Sequence, residues 1–129
     1  MGALSHKVVG CVPPWLVLPG GVGRQRCVGI APETAFHIVS RRPGQLKLLV
    51  AHMRTVLEEP QFIGHRWDGD RRRVEFVRTV GQPERLLLVS VKFLDAKHEA
   101  WVNTAFVLDR RHLTRRIAAG TLWAVSRGP

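Results

Sequence analysis

The run Val74-Glu75-Phe76-Val77-Arg78-Thr79-Val80 alternates apolar with polar side chains, as a β-strand with one buried face does. A turn sequence follows at residues 81–84, and the next strand, residues 85–93, is apolar enough for the centre of a sheet. After a polar turn, residues 100–108 form a third strand, and residues 62–67 add a shorter one. Strands joined by short turns predict an antiparallel sheet of three or four strands.

Upstream of these strands, the apolar period changes to that of a helix. In residues 45–58, apolar side chains recur at i, i+3, i+4 and i+7 and form one face: Leu46, Leu49, Val50, Met53, Val56 and Leu57. Pro32-Glu33-Thr34 opens a shorter helix that ends before Pro43, and residues 110–119 add a basic helix. We therefore predict an α+β fold, with N-terminal helices packed on one sheet face and the other face free for a ligand.

The chain divides into an arm and a single domain in this prediction. Residues 1–27 form an irregular N-terminal arm because prolines and a glycine run oppose regular structure there: Pro13, Pro14, Pro19 and residues 20–23. The apolar side chains of the arm are expected to dock on the rest of the protein. A short strand at residues 28–30 opens the domain, and residues 28–129 form one basic α+β unit.

The two cysteines and the apolar segment of the arm indicate in which cellular compartment the protein is expected. Cys11 and Cys27 lack the second pair of ligands that a zinc site needs. We expect them to be reduced, as in a cytoplasmic protein, and a disulfide between them is the alternative. Residues 12–19 are too short and too interrupted by proline to span a membrane. No metal, cofactor or membrane partner is predicted.

The charge points to a polyanionic partner. Twenty Lys and Arg residues oppose ten Asp and Glu, giving a net charge of +10, and only four of the cations are lysine. The guanidinium fork matches phosphate and stacks on bases, which favours RNA, although a solvated surface is the competing interpretation. Residues 71–129 carry twelve cations and five anions. The candidate RNA-binding residues are Arg42, Arg71, Arg72, Arg73, Arg78, Arg110 and Arg111.

The sequence contains no phosphate loop, dinucleotide fingerprint, HExxH zinc-protease motif or GxSxG nucleophile elbow. What remains is histidine and arginine chemistry of the kind that cleaves RNA by attack of its own 2′-hydroxyl. His37 precedes Arg41-Arg42 by about one helical turn, so its imidazole and these cations can meet one phosphate. A surface histidine beside a capping arginine is the competing interpretation.

Residues 28–123 resemble the phage-type branch of the nuclease superfamily that contains barnase, EndoU, anticodon-nuclease colicins and RelE, the BECR fold. The matching pieces are the helix with His37-Ile38 that ends at Arg41-Arg42-Pro43, the helix end at residues 56–60, the strand Val74 to Val80, the strand ending in Lys92, and Val102-Asn103-Thr104-Ala105-Phe106. The resemblance implies metal-independent RNA cleavage to a 2′,3′-cyclic phosphate. It implies a catalytic set of His37 as general base or acid, Arg41 and Lys92 on the phosphate, and Thr104 as a hydrogen-bond donor.

One position departs from that family. Its phage-type members commonly have a second histidine just before the proline that closes the first helix, and Arg42 stands there. Arginine stabilises charge but does not transfer a proton at neutral pH. Either another group is the proton partner, or this protein binds RNA without cutting it. Besides RNA, the expected partners are an acidic inhibitor or immunity protein, and a protein-interaction module with an acidic partner is a third hypothesis.

Overall fold

The sheet is larger than the sequence predicts. In the computed structural model, which describes residues 7–68 and 71–126, seven strands form one mixed sheet. In chain order the elements are β1 (Lys7–Cys11), β2 (Cys27–Ile30), α1 (Pro32–Arg41), α2 (Leu46–Glu58), β3 (Phe62–Asp68), β4 (Arg71–Val80), β5 (Arg85–Leu94), β6 (Glu99–Leu108), α3 (Arg110–Ala118) and β7 (Leu122–Ala124). The spatial order is β1-β2-β6-β5-β4-β3-β7, and only β2 and β6 run parallel.

The predicted fold class is therefore wrong in two respects. The sheet is neither three- to four-stranded nor purely antiparallel, because β2 pairs with β6 across most of the chain. The helices do not all precede the sheet either, because α1 and α2 lie in the middle of the chain and α3 follows β6. Pairing between segments so distant in sequence leaves no local pattern from which it could be read.

The N-terminal segment is more ordered than an irregular arm. β1 forms within it and pairs antiparallel with β2, and a disulfide joins Cys11 to Cys27 at the end of that pair. The expectation of reduced cysteines is thus not met. Beyond β1 the segment docks on the domain as predicted, since Leu16 and Leu18 are buried in its core. The backbone N–H groups of Gly23 and Arg24 donate to the Asp95 carboxylate at the β5–β6 turn.

The two faces of the sheet carry separate apolar cores. Leu87, Val89 and Val91 alternate toward α1 and α2, where they pack with the buried face of α2. Leu86 and Leu88 point the other way and pack with Leu113 of α3 and Leu122 of β7. Helices consequently lie on both faces, and α3 leaves part of its face uncovered.

The junction of β3 and β7 depends on a glycine. A Cβ atom on Gly64 would lie 2.1 Å from the carbonyl oxygen of Thr121 and 2.8 Å from a methyl of Leu122. The backbone N–H of His65 donates to that same carbonyl at 3.2 Å. A side chain at position 64 would therefore push β7 away from the sheet edge.

In the part of the chain that the structure describes, no helix is long and apolar enough to cross a membrane.

Candidate nucleic-acid interface

The polar part of the α3 side of the sheet is rich in cations, and we call it the basic face. Along each strand, these side chains point to the face opposite the core that packs against α1 and α2. The basic face comprises Arg66, Arg73, Glu75, Ser90, Lys92 and Thr104. Arg66 and Lys92 are exposed, and Arg73 and Thr104 are half-buried. Its floor is the sheet itself, so the spacing of its side chains is set by strand register.

Three cations form a row straight across this face. Arg66 of β3 is the register partner of Arg73 in β4, and Arg73 is in turn the partner of Lys92 in β5. Neighbouring strands lie about 5 Å apart, so the three charged side chains start from adjacent points. Next in the row is Trp101 of β6, the partner of Lys92.

A buried ion pair borders the row. Glu75 is 3% exposed on the basic face, and its carboxylate accepts a hydrogen bond from Nη1 of Arg116, which reaches down from α3. The Arg116 side chain is 21% exposed. The guanidinium therefore neutralises the buried Glu75 carboxylate and keeps part of its surface toward solvent.

A pocket of about 460 Å³ opens where the row meets the ends of the strands. Its cationic lining comes from Arg72, Arg73 and Lys92, with Asn103 as a further hydrogen-bonding group and Val22, Phe93 and Leu94 as its apolar wall. Two guanidinium groups, an ammonium and an amide are suited to the oxygens of a phosphate.

A second pocket of the same size lies at the outer edge of β3. β7 pairs with Phe62, Ile63 and Gly64 and then ends, so the following residues of β3 form a free edge next to the pocket. The pocket is lined by His65, Arg66, Trp67, Arg116 and Thr121. The His65 ring stacks on Trp67 with centroids 4.6 Å apart, and its Nδ1 atom is buried with no hydrogen-bond partner among the described residues.

The expected catalytic residues are only partly brought together. Lys92 and Thr104 share the basic face, and Arg42 joins them at its border, where its guanidinium lies 5.0 Å from the ring centroid of Phe106. His37 and Arg41 are exposed on α1, and no hydrogen bond or ion pair joins their side chains to a described residue. The structure thus contains no assembled set of His37, Arg41, Lys92 and Thr104.

The end of α1 nevertheless lies beside the basic face. Gln45, just after α1, accepts a hydrogen bond from the backbone N–H of Val107 at 3.1 Å, which caps the unpaired edge of β6. Arg42 passes this edge to reach Phe106, two residues after Thr104 on the same face.

The expected RNA-binding arginines are distributed over several surfaces. Arg72 and Arg73 line the pocket at the strand ends, and Arg110 and Arg111 are exposed on the first turn of α3. Arg78 differs from the prediction, because strand alternation turns it toward α2, where its Nη1 donates to the carbonyl of Glu59 at 2.7 Å. The backbone of Arg71 starts β4, but its side chain lies outside the described part of the chain.

Sequence reasoning missed Arg66, Arg116 and Trp67 as candidates. Arg66 and Trp67 lie in the short strand that was predicted, but only the β3–β4 register shows that Arg66 continues the row of cations. Arg116 lies in the predicted basic helix of residues 110–119, and its pairing with Glu75 spans 41 residues, so no local pattern indicates it. The alternation of side chains along β3 was the one local feature that could have indicated the face on which Arg66 lies.

The described residues contain no group of three or more histidine, cysteine or carboxylate side chains placed to hold a metal ion. No family model, curated protein or solved structure matches the chain.

Proposed function

We propose that this protein binds RNA across the basic face. The observation that carries the proposal is the register row of Arg66, Arg73 and Lys92 on three adjacent strands. Three neighbouring cations on a flat floor match the repeated phosphates of a nucleic-acid backbone better than a single small anion. The pocket with Arg72 and Asn103 at the end of this row extends the same contact surface.

The charge of the whole molecule supports the same ligand. A net charge of +10 raises the local concentration of any polyanion around the protein and speeds its association. Arg110 and Arg111 add exposed cations on α3, the helix that borders the basic face. Arginine outnumbers lysine in this set, and guanidinium groups bind phosphate through paired hydrogen bonds.

The salt dependence of RNA binding tests the proposal. A fluorescently labelled single-stranded RNA is titrated with wild-type protein at increasing salt, and anisotropy reports the affinity. A variant carries Arg66→Gln, Arg73→Gln and Lys92→Gln. Each lost phosphate contact lowers the slope of log affinity against log salt by about 0.7, so the triple variant loses about 2.

The matched control removes a cation from the other side of the molecule. Lys47 is exposed on α2, and Lys47→Gln changes the net charge without touching the basic face. We expect this variant to keep the wild-type slope. Equal slopes for wild type and the triple variant would refute the assignment of RNA to the basic face, and salt-sensitive binding only to an acidic protein would replace it with an interaction module.

A second candidate function is metal-independent cleavage of the bound RNA by 2′-hydroxyl transesterification. The observation that favours it is the position of Arg42 over Phe106, because it ties the end of α1 to the face that holds Lys92 and Thr104. The resemblance to BECR-type nucleases assigns proton transfer to His37, which lies five residues before Arg42. In this proposal, RNA on the basic face draws His37 and Arg41 onto the scissile phosphate.

Incubation of labelled RNA in EDTA tests cleavage. We expect products that end in a 2′,3′-cyclic phosphate, and a loss of at least about a hundredfold in rate in His37→Ala, the range for removal of a general acid or base. His112 is exposed on α3 and makes His112→Ala the matched control. Intact RNA that is still bound in a salt-sensitive way would leave binding as the function.

The proposed RNA ligand leads to expectations about the cellular compartment of the protein and about its protein partners. A cytoplasmic site of action fits an RNA ligand, whereas the Cys11–Cys27 disulfide is typical of oxidising compartments. Alkylation of free thiols in intact cells before lysis decides between them: two alkylated cysteines support the cytoplasm, and an intact disulfide opposes it. An acidic inhibitor or immunity protein would compete with RNA for the basic face.

A further inference from the structure

The free edge of β3 carries an aromatic cluster that phosphate binding does not use. Trp67 is 42% exposed and Trp123 of β7 is 40% exposed, although large aromatic rings are usually well buried. His65 lies between them, stacked on Trp67 and edge-on to Trp123 at 5.8 Å. The Arg72 guanidinium lies 5.3 Å from the Trp67 ring centroid.

This cluster meets the basic face in one pocket. Arg66 and Trp67 are consecutive in β3 and point to opposite faces of the sheet, yet both line the pocket at the free edge. Arg116 of α3 contributes a further cation to the same lining. A phosphate held by Arg66 would therefore place its own nucleotide within reach of the indole of Trp67.

Aromatic stacking of this kind selects unpaired nucleotides. In a duplex the flat faces of the bases are covered by their neighbours, so a protein ring reaches them only at loops, ends and single strands. Exposed tryptophan with arginine beside it is the side-chain combination that holds single strands with little regard to sequence.

We propose that the pocket formed by His65, Arg66, Trp67, Arg116 and Thr121 binds an unpaired base stacked against Trp67, so that the protein selects single-stranded RNA over duplex RNA. The inference rests on the proposed RNA-binding function and adds a structural class of RNA to it. Arg72 does not line this pocket, so the base meets the Trp67 ring from the pocket side while Arg66 binds a flanking phosphate and Arg116 stays paired with Glu75.

The test compares Trp67→Ala with Trp15→Ala, using a single-stranded RNA and the duplex of the same sequence as probes. Trp15 is 45% exposed and lines a different pocket with Glu59 and Arg78, so it is a matched control. We expect Trp67→Ala to weaken single-strand binding about tenfold, within the range for loss of one stacked base. The salt slope stays unchanged, because no phosphate contact is removed.

A second, milder variant tests the same contact in case Trp67→Ala does not fold. Trp67→Phe keeps a smaller ring, and we expect a weaker loss of affinity together with loss of most of the RNA-induced quenching of tryptophan fluorescence. Equal binding of duplex and single strand, or wild-type affinity in Trp67→Ala with a normal effect of Arg66→Gln, would overturn this inference and leave the proposed function standing. Absence of salt-sensitive RNA binding by wild type would overturn both.

Discussion

Removing the positive partner of Glu75 is expected to destabilise the protein far more than removing Glu75 itself. The Glu75 side chain is 4% exposed and accepts its hydrogen bond from Arg116, so Arg116→Met leaves a carboxylate buried without a counter-charge. Such a loss costs about 3–5 kcal/mol, a large share of the roughly 5–15 kcal/mol that stabilises a domain. Glu75→Gln keeps the shape and an acceptor oxygen, and Arg116 keeps its access to water, so we expect about 1 kcal/mol.

Urea unfolding followed by circular dichroism measures both changes, and the double variant completes the cycle. Glu75→Gln combined with Arg116→Met removes the buried charge together with its partner, so its stability should lie well above that of Arg116→Met. If Arg116→Met and Glu75→Gln cost the same, or if Arg116→Met unfolds within about 0.5 kcal/mol of wild type, the assignment of Glu75 as a buried charge that depends on Arg116 is refuted.

Glu75→Gln, which lowers stability, is expected to raise the affinity for RNA. Glu75→Gln removes a negative charge from the basic face and frees Arg116 for a phosphate. Removal of one negative charge at about 6 Å from a bound phosphate is worth roughly 0.7 kcal/mol in water, or about threefold in affinity. A less stable protein that binds RNA more tightly is therefore the expected outcome, and anisotropy titration at low salt checks it.

Three further substitutions test the scaffold. Gly64→Ala should cost about 1–3 kcal/mol or more in the same unfolding assay, because its methyl meets the Thr121 carbonyl, and a neutral result would contradict the close packing of β3 and β7. Asp109→Ala removes the side-chain cap of α3 and should cost about 1 kcal/mol, with faster amide exchange confined to that helix. Cys11→Ser opens the disulfide to Cys27 and should cost about 3 kcal/mol for a loop of this size; wild type treated with reductant serves as the comparison, and unchanged stability in both would argue against the disulfide.

The elements with strong local periodicity were predictable from the sequence. The apolar stripe of α2 and the alternation in β4 give Leu46–Glu58 and Arg71–Val80, close to the predicted residues 45–58 and 74–80. β1 and β7 were not predictable, since they have five and three residues and are stabilised by partners elsewhere in the chain. Their short runs carry too few side chains to show a period.

The sequence predicted the kind of ligand from the arginine content, but it did not predict which residues lie together in the candidate site. Excess arginine indicated a polyanion, and Lys92 and Thr104 do lie on the uncovered face of the sheet. The row that includes Arg66 depends on the register between β3, β4 and β5, and a shift of one residue would turn every side chain to the other face. Arg78 was predicted to bind RNA, but strand alternation turns its side chain toward the helices and away from the basic face.

The strands at the two margins of the sheet also bear on how copies of the protein behave toward each other. An uncovered outer strand offers its backbone groups to a strand of another molecule and so invites aggregation. Here one margin is β7, which has only three residues and leaves the last residues of β3 as a short free edge. The other is β1, whose register is broken by a bulge between Val8 and Gly10. Both margins are poor templates for a further strand, and the net charge of +10 keeps copies apart. Such a sheet can present a wide open face and still tolerate high protein concentration.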